Sequence, residues 1–137
     1  YFVKNNITIE DSCSEICEAY LLEKESGKRM YLPSNYDAGI IDMQFSPMAK
    51  QFFVYSSYDG PDYQKYYQYR SEIFFYNLTK DTGLKAFKPN FIYYSKDWSI
   101  AEVVWIDENS IALKVYEEQF SGDGNNVNYK YFKSDIL

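Results

Sequence analysis

Short apolar runs separated by turn-forming residues recur along the chain and constrain its fold more than any other feature. Residues 40–55 read IIDMQFSPMAKQFFVY. Apolar and polar side chains alternate over 41–45, which is the two-residue period of a half-buried strand. Pro47 suits the first corner of a turn, and 52–55 then returns as a more fully buried strand. This segment therefore predicts a β-hairpin.

The same pattern predicts three further hairpins and a final strand. Gly27 supplies the positive φ that one of their turns needs, and Gly83 and Asn109 lie in the other two turns. One residue in five is aromatic, and aromatic side chains favour strands. No segment longer than about ten residues has the 3.6-residue period of an amphipathic helix. We therefore expect an all-β fold, with the further hairpins at 18–32, 72–87 and 100–116 and the final strand at 129–132.

The hairpins also repeat. Residues 40–45 align with 100–105, sixty positions further along, and Phe53 then aligns with Leu113. A hairpin, a linker and a second hairpin give four strands, the size of a propeller blade. The alternative is that any meander of hairpins looks self-similar. We expect antiparallel hairpin repeats in a single domain over 1–137, with repeat 1 at about 18–56, a connecting loop at 57–71 and repeat 2 at about 72–118.

Length and charge exclude several functional classes. The 137 residues suit one domain, and no apolar run is long enough for a membrane helix. The net charge of −6 argues against a nucleic-acid partner, because phosphate binding needs clustered Lys and Arg. The chain has no histidine, which removes His-dependent triads and His-liganded metal sites.

The two cysteines, Cys13 and Cys17, bear on the cellular compartment. Two thiols cannot complete a zinc site alone, and the C-x-x-x-C spacing is not that of a redox motif. A disulfide requires the segment to turn, since positions four apart on a strand lie about 13 Å from each other. Turn formers such as Ser12 and Ser14 make that plausible; two buried thiols are the alternative. We expect a disulfide, an exported (periplasmic) protein, and a signal peptide already removed, as the chain begins at Tyr1 without Met.

Candidates for catalysis or metal binding are weak. No histidine can serve as base for a Ser or Cys nucleophile. The carboxylate pairs Asp59–Asp62 and Glu117–Glu118 are typical of a solvated surface. Asp123 lies in a Gly- and Asn-rich stretch with the composition of a calcium loop but without its bidentate Glu. We expect no enzymatic activity, no cofactor and no metal.

The strongest functional candidate is the tyrosine-rich segment 56–71, SSYDGPDYQKYYQYRS. Tyrosine offers a large rigid surface and a hydroxyl at low entropic cost, so this composition is typical of a binding surface. The alternative is that these tyrosines cover the sheet or extend a strand. Trp98 is a further candidate contact, although a core position is the stronger expectation. The predicted partner-binding residues are Tyr58, Asp59, Asp62, Tyr63, Tyr66, Tyr67, Tyr69 and Arg70.

The stretch "MQFSPMAKQFFVYSSYDG…SEIFFYNLTKDTG" resembles blades of TolB-like and WD40-like propellers. Phe45, Ser46, Pro47 and Lys50 match a strand end of the form F-S-P-D-G-K, and Thr82-Gly83 matches the later T-G. Met48-Ala49 departs from D-G, and the second copy lacks the proline. The resemblance covers roughly 18–118. Two blades cannot close a ring, so it implies two four-stranded blades packed as an open sandwich, or a fragment of a larger propeller.

A truncated propeller of this size is similar to periplasmic immunity proteins that neutralise type VI cell-wall amidase effectors. The similarity implies a non-enzymatic inhibitor that occludes the active site of a basic cell-wall hydrolase. An acidic protein would be steered toward such a partner. A glycan-binding or envelope-associated module is the alternative function. Exposed edge strands would also allow a homodimer.

Overall fold

The computed structural model describes residues 6–61, 63–117 and 127–136, and these residues confirm the all-β class. Two short 3-10 turns, Tyr63–Lys65 and Gly83–Ala86, accompany the strands. Among the described residues, no helix has the length and apolarity needed to cross a membrane. The strands are β1 (Ile7–Cys13), β2 (Cys17–Glu23), β3 (Arg29–Leu32), β4 (Asp42–Phe45), β5 (Gln51–Ser57), β6 (Ser71–Leu78), β7 (Phe87–Ser95), β8 (Ser99–Asp107), β9 (Ser110–Tyr116) and β10 (Tyr129–Asp135).

The described strands form three antiparallel sheets, not the two four-stranded units that the repeat predicted. The first sheet has the order β1-β2-β3, the middle sheet β4-β5-β6-β7, and the third sheet β10-β9-β8. The predicted hairpins at 40–55 and 72–87 therefore combine into the middle sheet. The segment between them joins two adjacent strands of this sheet, since β5 pairs directly with β6.

The inner strands of the middle sheet, β5 and β6, are largely buried, and β5 packs against a different sheet on each face, so the three sheets form layers there. Successive side chains of a strand point to opposite faces. Phe52 and Val54 of β5 accordingly pack with Leu21 of the first sheet. Phe53 and Tyr55 pack with residues of the third sheet, among them Val103. Four consecutive residues of β5 are thus almost fully buried, as the apolar run predicted.

The sequence repeat corresponds to hairpins that lie against each other in neighbouring sheets. The turn before β5 meets the turn between β8 and β9, where the amide of Met48 donates to Glu108 Oε1 and Gln51 Nε2 donates to the Glu108 carbonyl. Gln44 Nε2 also donates to the Val103 carbonyl at 2.9 Å. The sixty-residue alignment therefore identified strands that stack, although it placed the sheet boundaries wrongly.

The expected disulfide between Cys13 and Cys17 is present. The two cysteines are the last pair of the β1–β2 ladder, and only three residues connect them. Because the chain turns there, the Cα atoms are 4.0 Å apart, a separation that the extended chain would not allow. The hairpin tip that they close is exposed.

Replacing a core aromatic should measure how much the three-layer packing contributes to stability. Phe53 is 0% exposed and contacts the rings of Phe75 and Trp105. We expect Phe53→Ala to lower the free energy of unfolding by about 3 to 5 kcal/mol, since it removes buried surface and leaves a cavity. Urea unfolding measures this change. The control Met48→Ala, at an exposed position, should change stability by less than about 0.5 kcal/mol, and a loss as small for Phe53→Ala would contradict the packing.

Candidate functional site

The tyrosine-rich segment folds as a closed loop over 58–70, here called the tyrosine loop. Its ends meet, because the Tyr58 amide donates to the Arg70 carbonyl at 2.9 Å. A short 3-10 turn at Tyr63–Lys65 lies in its middle, so the alternative that this segment extends a strand is wrong for the described residues. A compact surface loop with adjoining ends is a frequent place for function.

Arg70 holds the tyrosine loop from the inside. Its side chain is only 5% exposed, and Nη1 donates to the carbonyls of Tyr58 (3.3 Å) and Gly60 (3.4 Å). The guanidinium carbon also lies 4.3 Å from the ring centroid of Tyr63. Arg70 therefore supports the loop backbone as a positioning residue, and its direct contact with a partner stays a prediction.

The first half of the tyrosine loop packs toward the third sheet. Tyr63 donates its hydroxyl to the Lys96 carbonyl at 2.9 Å, and the Tyr116 hydroxyl donates to Asp59 Oδ2 at 3.3 Å. Burial, with a further contribution from Asp59, raises the pKa of Tyr116 to about 12. Asp62, another predicted contact, lies outside the described residues. This half of the loop is thus fixed to the layer beneath it.

The second half of the tyrosine loop borders a cavity of about 300 Å³ that we call the carboxylate pocket. Tyr36 is buried and donates its hydroxyl to the Tyr69 carbonyl at 2.9 Å. Its ring meets the ring of Tyr67 edge to face at 4.8 Å, while Tyr69 stacks on Tyr94 at 4.3 Å. The pocket is lined by Asn35, Tyr36, Tyr66, Tyr67, Gln68, Tyr69, Glu72 and Tyr94.

A buried carboxylate, that of Glu72, forms part of this pocket. The residue is 1% exposed, and its two oxygens accept hydrogen bonds from the Asn35 amide (2.8 Å) and from Asn35 Nδ2 (2.7 Å). Burial raises the pKa of Glu72, and the two bonds from Asn35 oppose that rise. After burial itself, Glu72 is the largest cause of the raised pKa values of Tyr36 and Tyr94. Glu72 is therefore the acidic group that acts on these two tyrosines of the pocket.

Exposure separates the predicted contact residues. Tyr66 is 69% exposed and reaches solvent beside the mouth of the pocket. Tyr58, Tyr67 and Tyr69 are half-buried. Tyr67 contacts the rings of both Tyr58 and Tyr66, so it links the exposed apex to the fixed part of the loop. Among the described tyrosines of the loop, Tyr66 is therefore the one most accessible to a partner.

Sequence analysis did not identify the pocket residues outside the loop. Asn35 and Tyr36 lie in the connection between β3 and β4, and Glu72 and Tyr94 lie on β6 and β7. The only signal in the sequence was Glu72 itself, an acidic residue directly before the apolar run 73–76. Pairing of Glu72 with Tyr94 across the sheet then completes the site.

Other candidate residues are in less open surroundings. Trp98 is partly buried against the core, with the ring of Phe132 at 5.8 Å and Lys130 Nζ at 4.8 Å. The described residues contain no group of three or more acidic or cysteine side chains placed to hold a metal ion. Asp123 and Glu118 lie outside the described residues.

Removing the Arg70 guanidinium should loosen the tyrosine loop. We expect Arg70→Met to lower the free energy of unfolding by about 2 kcal/mol or more, because the carbonyls of Tyr58 and Gly60 lose a charged donor. Amide hydrogen exchange should also accelerate at Tyr58, whose amide bonds to the Arg70 carbonyl. The control Lys65→Met removes an exposed charge from the same loop and should change neither quantity. Equal behaviour of the two variants would contradict the role of Arg70.

The raised pKa of Glu72 should be visible in the pH dependence of stability. A raised folded-state pKa means that the folded protein keeps this proton to higher pH than the unfolded chain does. Ionisation of Glu72 therefore costs stability as pH rises from about 4.5, the ordinary value, through the folded pKa. Glu72→Gln lacks this cost, so its stability relative to the original protein should improve as pH rises across that window.

Urea unfolding at a series of pH values measures this difference. Tyr36 and Tyr94 keep their protons throughout such a series, because burial raises the pKa of both groups above the ordinary value. Asn35→Ala removes one of the bonds that lower the pKa of Glu72, so it should extend the window to higher pH. A stability difference between Glu72→Gln and the original protein that does not vary with pH would contradict the assignment.

Comparison with known proteins found no family model, no curated protein and no solved structure that matches this chain. The geometry of the tyrosine loop and the carboxylate pocket therefore carries the functional argument.

Proposed function

We propose that this protein is a non-enzymatic inhibitor of the immunity-protein type, which binds a basic cell-wall hydrolase outside the cytoplasm and occludes its active site. The observation that carries the proposal is the tyrosine loop, closed by the hydrogen bond between Tyr58 and Arg70, with Tyr66 exposed beside the pocket that contains the Glu72 carboxylate. Occlusion needs a surface that fits a cleft and requires no catalytic group on the inhibitor.

The rigidity of the tyrosine loop supports a binding role. Ordering a loop on association costs free energy, and a loop that is already ordered avoids much of that cost. The closing hydrogen bond between Tyr58 and Arg70, together with the buried guanidinium, provides this order before any partner arrives. The ring contacts of Tyr67 extend it to the apex.

Charge supports the choice of a basic partner. The chain has a net charge of −6, and the buried carboxylate of Glu72 adds negative potential at the proposed contact. Opposite charge accelerates association, with an effect that declines as salt screens it. Enzymes that act on a polyanionic cell wall present the complementary sign.

The disulfide supports the proposed compartment. The disulfide between Cys13 and Cys17 is compatible with an oxidising compartment such as the periplasm. Kinship with propeller blades stays a prediction, since the four-stranded middle sheet combines strands from both predicted repeats. A homodimer through edge strands stays a prediction.

Substituting the exposed apex of the loop tests the proposal. The original protein should inhibit at least one cell-wall amidase or lysozyme at micromolar concentration. Tyr66→Ala should weaken that inhibition by about thirtyfold, corresponding to about 2 kcal/mol for a hot-spot tyrosine, with stability unchanged.

The matched control is Tyr131→Ala, because Tyr131 is 72% exposed and lies on β10, outside the tyrosine loop. It should inhibit like the original protein. If the unsubstituted protein leaves every hydrolase of such a panel active, the proposed function is wrong. If Tyr131→Ala weakens inhibition and Tyr66→Ala does not, the contact surface lies elsewhere.

A further inference from the structure

We infer that the carboxylate pocket binds an organic cation, namely an ammonium or guanidinium group whose charge meets the Glu72 carboxylate. The inference deepens the proposed function and rests on it for the source of the cation, a lysine or arginine side chain of the basic partner. The binding chemistry can be tested without that partner, because it depends only on residues of this chain.

The first argument is the state of the Glu72 carboxylate. The side chain is 1% exposed, and its two hydrogen bonds come from Asn35, which is a neutral residue. These bonds satisfy one position on each oxygen but do not neutralise the charge. A carboxylate removed from water is costly unless an opposite charge accompanies it. A cation that enters the pocket would supply that charge where water is already largely excluded.

The second argument is the aromatic lining. Five of the eight lining residues are tyrosines, whose ring faces and hydroxyl oxygens both attract positive charge. Two cationic side chains of this protein already lie over tyrosine rings in this region. Arg70 lies 4.3 Å from the ring centroid of Tyr63, and Lys96 Nζ lies 5.7 Å from that of Tyr69. A cation bound among the tyrosines of the pocket would therefore make the same cation–π contact that Arg70 and Lys96 make nearby.

The volume of the pocket and the charge of Glu72 also favour a small cation. A volume of about 300 Å³ lies at the lower limit of ligand pockets, so it suits the end of one side chain or a small head group. An anion would meet the buried carboxylate and be repelled. An uncharged apolar group would bring no charge to compensate the buried carboxylate. A cationic nitrogen with short alkyl substituents satisfies each of these conditions.

Titration followed by NMR tests the inference, with small probes that need no protein partner. Choline is the cationic probe, and dimethylbutanol, which has carbon in place of the charged nitrogen, is its uncharged counterpart. Choline at millimolar concentration should shift the ring resonances of Tyr36, Tyr67 and Tyr94, and its own methyl resonance should move upfield. Dimethylbutanol should bind at least about tenfold more weakly if charge decides recognition. This comparison uses the original protein, so it does not depend on any variant folding.

Substitution of the carboxylate gives a second test. Glu72→Gln keeps the side-chain shape and removes the charge, and it should weaken choline binding by about tenfold. The matched control Glu15→Gln makes the same change in net charge at an exposed position in the β1–β2 turn and should bind choline normally. Equal affinity of the two variants, or equal affinity for choline and dimethylbutanol, would overturn the inference. The absence of any shift with choline and with the side-chain probes described next would overturn it too.

Two further probes distinguish the sources of the cation. Blocked lysine and blocked arginine amides represent a side chain of a protein, whereas choline represents a free small molecule or a lipid head group. Tighter binding of a blocked amino acid supports a side chain of the partner, and tighter binding of choline supports a small-molecule ligand.

The inhibition assay separates this inference from the proposed function. If choline binds but no hydrolase is inhibited, the pocket chemistry stands and the inhibitor function is wrong. If a hydrolase is inhibited equally by the original protein and by Glu72→Gln, the inhibitor function stands and the pocket is not its contact.

Discussion

The burial of both faces of β5, an inner strand of the middle sheet, is the constraint on which the rest of the structure depends. β5 contributes large apolar side chains to two separate cores. Loss of either outer sheet would therefore expose apolar side chains of β5 to water. Small serines at the end of this stack allow the layers to approach and bond there. Ser57 Oγ accepts from the Ile100 amide at 2.8 Å, and Ser71 Oγ donates to the Trp98 carbonyl at 2.8 Å. The tyrosine loop starts and ends at these fixed points, which is why a long connection can be rigid.

Two buried charges close together in sequence have opposite consequences for this site. The guanidinium of Arg70 is used by the protein itself, since it donates to loop carbonyls and lies over the ring of Tyr63. The carboxylate of Glu72 receives hydrogen bonds from a neutral residue, Asn35, and lies at the wall of a cavity. The positive charge thus holds the loop together, whereas the negative charge lies at the wall of the pocket, where the proposed cation would bind.

Much of the strand content could be predicted from the sequence, because alternation and turn chemistry are local properties. β1 was not predicted, since its stretch ITIEDSC has apolar side chains only at Ile7 and Ile9 before it becomes polar. The division into sheets was also wrong. Backbone ladder bonds are the same for any side chain, so the sequence pattern did not decide whether β5 pairs with β6 or ends a unit. The carboxylate pocket combines the pairing of β6 with β7, which places Tyr94 opposite Glu72, with the β3–β4 connection, whose Asn35 bonds to Glu72, and this combination could not be predicted from local patterns.

The tyrosine loop illustrates why residue type alone does not define a binding surface. Tyr63, Tyr66 and Tyr69 are chemically identical, yet one bonds to the Lys96 carbonyl, one is largely exposed and one stacks on Tyr94. Tyrosine serves equally as scaffold and as contact because it has an apolar ring and a polar end. The contacts that each tyrosine makes in the folded protein decide whether it supports the loop or is free to contact a partner. Because Tyr66 is exposed and the pocket that contains Glu72 lies beside it, the proposed basic partner would project a side chain into the pocket while it contacts the loop.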